Sequence, residues 1–149
     1  MALLQQLLVP VDGSPTSVKA LETAIELARL NGARLRLLYV IDELDYVNGF
    51  ETAKAYYEQT LPFMHAEGES LLAQMRSLAV DKGVACDSVL LESGAGRLCD
   101  TVAEQARQVH ADMVVLGSHG RRGLNRVLMG SDAEQIARHS PVPVLVVKG

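Results

Sequence analysis

The chain reads as a doubly wound α/β domain, a parallel sheet with helices on both faces. Short apolar runs recur at 7–11, 35–41, around 88–91, at 113–116 and at 142–147. Amphipathic segments alternate with them, and turn or capping residues mark most of the junctions. Five strands separated by four helical segments imply parallel pairing through right-handed crossovers.

Each element has its own signal. Val and Leu in the five runs are continuous, without polar alternation, as in strands covered on both faces. Ser14-Pro15 reads as an N-cap with proline at the first helical position, and Val18, Leu21, Ile25 and Ala28 share a face behind it. Asn31-Gly32 and Lys82-Gly83 read as helix stops. Met64, Leu71, Met75 and Leu78 make a second helical face, and Leu98, Val102, Ala106 and Val109 a third. Ser131-x-x-Glu134 has the spacing of a capping box, ahead of a short face of Ala133, Ile136 and Ala137. The stretch 42–62 is long and polar for a βα connection, and Pro62 argues against an unkinked helix there. A loop or short extra helix is expected, a surface insertion in preference to a lid. No linker or repeat interrupts 1–149, so a single domain is expected.

Composition narrows the function. With 149 residues, 48% hydrophobic and 21% charged, the chain has ordinary globular proportions and can bury a core. A net charge of −4 argues against general binding to nucleic acid or to anionic membrane. Aromatics are sparse, with no Trp, so a base-stacking platform is not expected. The opening residues read as a strand, not a signal peptide, and no apolar run is long enough to span a bilayer. Cys86 and Cys99 fit neither a metal spacing nor a disulfide framework and are expected as buried free thiols. Together these point to a cytoplasmic protein.

The segment after the fourth strand carries the chemistry. Gly117-Ser-His-Gly120 is followed by nine residues and then by Gly130-Ser131, where the last helix begins. Glycines at 117 and 120 let backbone N–H groups approach an anion closely. Gly130 and Ser131 sit at a helix N-terminus, where unpaired N–H groups and the helix dipole favour phosphate. The Ser131 hydroxyl can donate to a phosphate oxygen or ligate Mg²⁺. A G-x-x-G turn with a capped helix behind it is a structural alternative, but the full pattern arises by chance on the order of once in a hundred such chains. A P-loop is excluded because no Lys stands in the loop, and the Rossmann fingerprint because Asp12-Gly13-Ser14 follows the first strand.

With Val9-Pro10-Val11-Asp12-Gly13-Ser14, Tyr39-Val40-Ile41-Asp42, the G-x2-G-x9-G-S signature and Ser140-Pro-Val-Pro-Val-Leu-Val-Val147, the chain resembles the universal stress protein family. The resemblance covers nearly the whole length, with 42–62 its least typical part. It implies a five-stranded sheet ordered 3-2-1-4-5, Rossmann-like in the manner of the adenine nucleotide alpha hydrolases, and the family's ATP-binding branch. It also implies a site between strands one and four, the switch point of that order. There Asp12 would accept from the ribose hydroxyls, Pro10 and Val40 would line the adenine pocket, and Gly117, Gly120, Gly130 and Ser131 would hold the phosphates. Without the resemblance, Asp12 reads first as an Asx-turn or capping carboxylate for the helix that starts near Pro15, and the resemblance puts the ribose role ahead.

Other residues carry less. Arg121, Arg122 and Arg126 read as a solvated patch or as screening for phosphate, and His119 is the one histidine placed for chemistry. The expected function is an ATP-binding stress-response or signalling module that holds ATP, ADP or AMP with Mg²⁺. Hydrolysis is expected to be slow or absent, since neither a catalytic Lys nor a Walker-B-like acid is evident. The alternatives are a slow ATPase or nucleotidyl-transfer enzyme using the same site, and a dimeric interaction domain with a vestigial one. The apolar fifth strand, a sheet edge in this order, is expected to join two chains into a homodimer.

Overall fold

The computed structural model describes residues 3–42, 52–119 and 129–149. Five parallel strands form one sheet in the order β3-β2-β1-β4-β5. They are β1 (Gln6–Pro10), β2 (Arg34–Ile41), β3 (Cys86–Glu92), β4 (Met113–Gly117) and β5 (Val144–Val147). The helices are α1 (Pro15–Asn31), a three-residue α2 (Ala53–Ala55), α3 (Leu61–Asp81), α4 (Leu98–Gln108) and α5 (Ser131–His139).

Strand alternation divides the core into two layers. Leu7, Val9, Leu35, Leu37 and Ile41 face α1 and α3, whereas Leu8, Leu38, Val114 and Leu116 face α4 and α5. The three central residues of β1 are fully buried, as expected of a strand with a neighbour on each side and helices above and below. Cys86 lies in the first layer and Cys99 in the second, both buried and free, with the sheet between them.

Most helix boundaries follow the expected chemistry. Ser14 caps α1, its side chain accepting from the N–H of Ser17, and Gly32 closes the helix at φ 66°, a left-handed conformation suited to glycine. Three details differ. Met64, Gly68, Leu72, Met75 and Ala79 form the buried face of α3, so the face is rotated relative to one through Leu71 and Leu78, and Leu78 is exposed. The reason is Gly68: a Cβ there would lie 2.6 Å from the Leu90 side chain and 2.8 Å from Tyr39, so α3 meets the sheet where no side chain signals contact. In α5, Ala133 and Ile136 are buried but Ala137 is exposed.

The third detail is the approach to α3, where helix runs from Ala53 onward with a π-helical turn at Tyr56–Thr60 placed before Pro62. The N–H of Leu61 bonds to the Tyr56 carbonyl, five residues back. Pro62 has no N–H, and its ring would clash with the carbonyl four residues before it in a regular helix. Widening the turn accommodates the ring without ending the helix. The remainder of the expected insertion, 43–51, lies outside the described residues.

Candidate functional site

The crevice begins where β1 and β4 stop pairing. β1 runs beside β2 through Pro10↔Leu38, but beside β4 it pairs only at Leu7↔Met113 and Leu8↔Val114. Proline explains the difference. Along β1 the N–H of Val11 bonds to the Leu38 carbonyl on β2, while the Gln6 carbonyl accepts from Asp112 on the β4 side. Alternation therefore aims the nitrogen of Pro10 at β4, and that nitrogen has no hydrogen to donate. The ladder ends and the strands part at the switch point of the sheet.

A cavity of about 360 Å³ occupies the gap. Pro10, Asp12, Val40, Gly117, Gly130 and Ser131 all line it, so the structure gathers six of the seven residues singled out from sequence. Gly120 lies outside the described residues, as do Arg121, Arg122 and Arg126. Apolar lining comes from Ile41 and Met64 of one core layer and from Leu38, Leu116 and Ile136 of the other.

Asp12 follows β1 and makes the Asx-turn considered for it. Its Oδ1 accepts from the N–H of Ser14 at 2.9 Å, and its own N–H donates to Ser17 Oγ at 3.1 Å. The turn does not preclude a ligand role, since a carboxylate has two oxygens and about four lone-pair positions. It fixes the side chain at the cavity wall.

The two glycines at the exits of the signature are held differently. A Cβ on Gly117 would lie 2.8 Å from the carbonyl carbon of Thr16 and 2.9 Å from its oxygen, so the first turn of α1 rests on the end of β4. Among the described residues, a Cβ on Gly130 would meet the Ser118 carbonyl at 3.1 Å and the His119 Cα at 3.7 Å, the latter an ordinary contact. The N–H of Gly130 donates to that carbonyl at 2.7 Å. This bond keeps Gly130 extended and makes it, not Ser131, the N-cap of α5. The capping box is therefore not formed. Glu134 bonds instead to Arg138 at 2.8 Å, and Ser131 stands exposed at the first helical position. Its hydroxyl makes no hydrogen bond among the described residues, so it is available to a ligand.

Sequence reasoning missed several residues here. Asp42 and Asp132 line the same cavity, beside His119, the one histidine already marked from the sequence. Asp42 accepts from Ser93 Oγ at 3.3 Å, which ties the ends of β2 and β3 together. His119 Nδ1 lies 2.8 Å from the Ser118 hydroxyl. Asp132 could have been noticed as the carboxylate beside Ser131. Thr16, which donates to the His119 carbonyl across 103 residues of sequence, gave no signal at all. Two of the other three histidines have side-chain partners away from the cavity: His65 pairs with Glu92 at 2.6 Å, and His139 bonds to the Gln135 carbonyl at 2.8 Å.

Among the described residues no group of three or more His, Cys, Asp or Glu could hold a metal ion by itself. The oxygen donors in the cavity, the Ser131 hydroxyl and nearby carboxylates, fit Mg²⁺ of the kind held by one or two protein oxygens and completed by substrate phosphates. Elsewhere, an exposed pair at the start of α4 holds Asp100 below the usual carboxylate range, because Arg97 donates to it. No helix among the described residues is long and apolar enough to cross a membrane.

Known proteins share this architecture. The family model described as "Universal stress protein family" matches residues 4–148. A universal stress protein of Methanocaldococcus jannaschii is 32% identical over 146 residues, covering 98% of this chain and 83% of that one. Among solved structures, a universal stress protein family member from Burkholderia pseudomallei matches with a TM-score of 0.80 and 28% identity, covering 100% of this chain and 99% of its own. The universal stress protein from Archaeoglobus fulgidus in complex with dAMP matches with a TM-score of 0.65 and 22% identity, over 99% and 100% of the two chains. The sheet order, the β1–β4 crevice and a match along almost the entire length agree, and the chain belongs to the universal stress protein family.

Proposed function

We propose that the chain binds an adenine nucleotide, ATP with Mg²⁺, in the crevice between β1 and β4, and acts as a nucleotide-responsive stress module. One observation carries this reading: residues from distant parts of the sequence, Pro10 and Asp12, Val40, Gly117, and Gly130 with Ser131, line one cavity. Its volume of about 360 Å³ falls in the range of small-molecule sites. The dAMP complex of the Archaeoglobus fulgidus relative supports adenine as the base.

In this reading Pro10 and Val40 flank the base, and Asp12 accepts from the ribose hydroxyls. Gly117, Gly120 and Gly130 let the backbone approach the phosphates, and Ser131 holds a phosphate oxygen or the metal. Magnesium, when bound, neutralises phosphate charge beside Asp12 and Asp132. No Lys lines the cavity among the described residues, and turnover is expected well below the roughly 1 to 10³ s⁻¹ of ordinary enzymes. Mass spectrometry of nucleotide released from the purified protein, with calorimetry using Mg-ATP, tests the assignment. Released adenine nucleotide and saturable heat are expected; neither appearing would overturn it.

β5 supports a second element of the proposal, a homodimer through that edge. All four residues Val144–Val147 are only partly buried within one chain, and β5 has a neighbour on one side alone. Pairing with a second copy would cover its open hydrogen-bonding groups. Light scattering should give about twice the 16.1 kDa chain mass, and a monomer would refute the pairing.

A further inference from the structure

We propose that Thr16 is a positioning residue of this site: its hydroxyl holds the His119 carbonyl onto α1 and so keeps a carbonyl oxygen away from the phosphates. The proposal rests on the nucleotide reading above and extends it to a residue outside the signature.

The loop leaving β4 is fastened at successive atoms. The N–H of Ser118 donates to the Val147 carbonyl at 2.8 Å, and the Ser118 carbonyl accepts from Gly130 at 2.7 Å. The next carbonyl, that of His119, accepts from Thr16 Oγ1 and more distantly from Ser14 Oγ at 3.4 Å. His119 itself lines the cavity. An anion site built from backbone must show N–H groups to the ligand and keep carbonyl oxygens turned away, since an unengaged oxygen would repel phosphate. Thr16 supplies the donor that engages this one.

The Thr16 backbone is fixed for the task. The end of β4 packs on it at Gly117, and a Cβ on Gly149 would lie 2.5 Å from its methyl group. Ser14 is a poor substitute, because its contact with that carbonyl is long, at 3.4 Å. Removing the Thr16 hydroxyl thus leaves the helix capped and takes from the carbonyl the shorter of its two side-chain donors among the described residues.

Thr16→Val removes the hydroxyl at nearly constant shape, and Thr16→Ser keeps it while deleting the methyl. Calorimetry with Mg-ATP and, separately, with adenosine reads the effect on phosphate apart from that on the nucleoside. Thr16→Val should bind ATP about tenfold more weakly and adenosine within about twofold of wild type, and Thr16→Ser should restore ATP binding. Should Thr16→Val fail to fold, Thr16→Ala carries the same expectation. Equal loss for both ligands, unchanged ATP affinity, or failure of Thr16→Ser to rescue would each overturn the positioning role. Wild-type protein with no affinity for ATP would instead overturn the nucleotide reading on which it rests.

Discussion

The end of β4 and the start of α5 contribute the two halves of one motif, yet they meet the protein in opposite ways. At Gly117 the absence of a side chain serves the fold, because the backbone of Thr16 occupies the place where a Cβ would go. At Gly130 and Ser131 the constraint is looser: a single carbonyl at 3.1 Å from a hypothetical Cβ, and a hydroxyl with no partner among the described residues. One pattern therefore combines a glycine that packing requires with positions that packing leaves open to the proposed ligand. Loss of binding after mutation means different things in its two halves.

Gly117→Val should have the largest effect. Overlap with the backbone of α1 cannot be relieved by a rotamer change, and a loss of about 3 kcal/mol in unfolding free energy is expected from chemical denaturation. Its loss of ATP binding would accompany a damaged fold, so this variant is an unsuitable test of the phosphate role. Unchanged stability would break the distinction between the two halves. Gly130→Ala should stay within about 1 kcal/mol of wild type, since Gly130 has φ −63° and the nearby carbonyl need shift only slightly. Its ATP affinity should fall while circular dichroism stays native. Equal destabilisation of both glycine variants would erase the contrast.

Ser131→Ala should have the smallest effect on stability, within about 0.5 kcal/mol, because the N-cap of α5 is Gly130. Mg-ATP affinity should nonetheless drop about tenfold, the scale of a lost hydrogen bond to a charged group. A stability loss nearer that of a missing cap would show that Ser131 supports the helix after all.

The fold was largely legible because its signals are local. Continuous Val and Leu runs mark strands buried on both faces, and Ser14-Pro15 and Asn31-Gly32 bracket α1 as their chemistry requires. Legibility failed where a contact comes from far away in sequence. Gly68 carries no side chain, so an apolar count cannot show that Tyr39 and Leu90 press against it and set the face of α3. Pro62 announces a distortion, but whether it becomes a break or a π-helical turn depends on what the preceding helix packs against. The site was legible in part. Gly117, Gly130, Ser131 and Asp12 follow from motif chemistry, whereas Asp42 and Thr16 reach the site only through the crossing of strands and helices.

The two thiols have a consequence of their own. Burial, reinforced by Asp87, pushes the Cys86 thiol up to about 11, so in neutral solution it is almost wholly protonated and chemically quiet. The sheet separates it from Cys99, which leaves the native chain no route to an internal bridge. Any disulfide found after oxidation would thus record either an opened chain or a link between two molecules. Each sulfur is also sealed by its own layer of helices. Their separate rates of alkylation would time the breathing of the α1/α3 side and the α4/α5 side independently, a pair of clocks built into one small sheet.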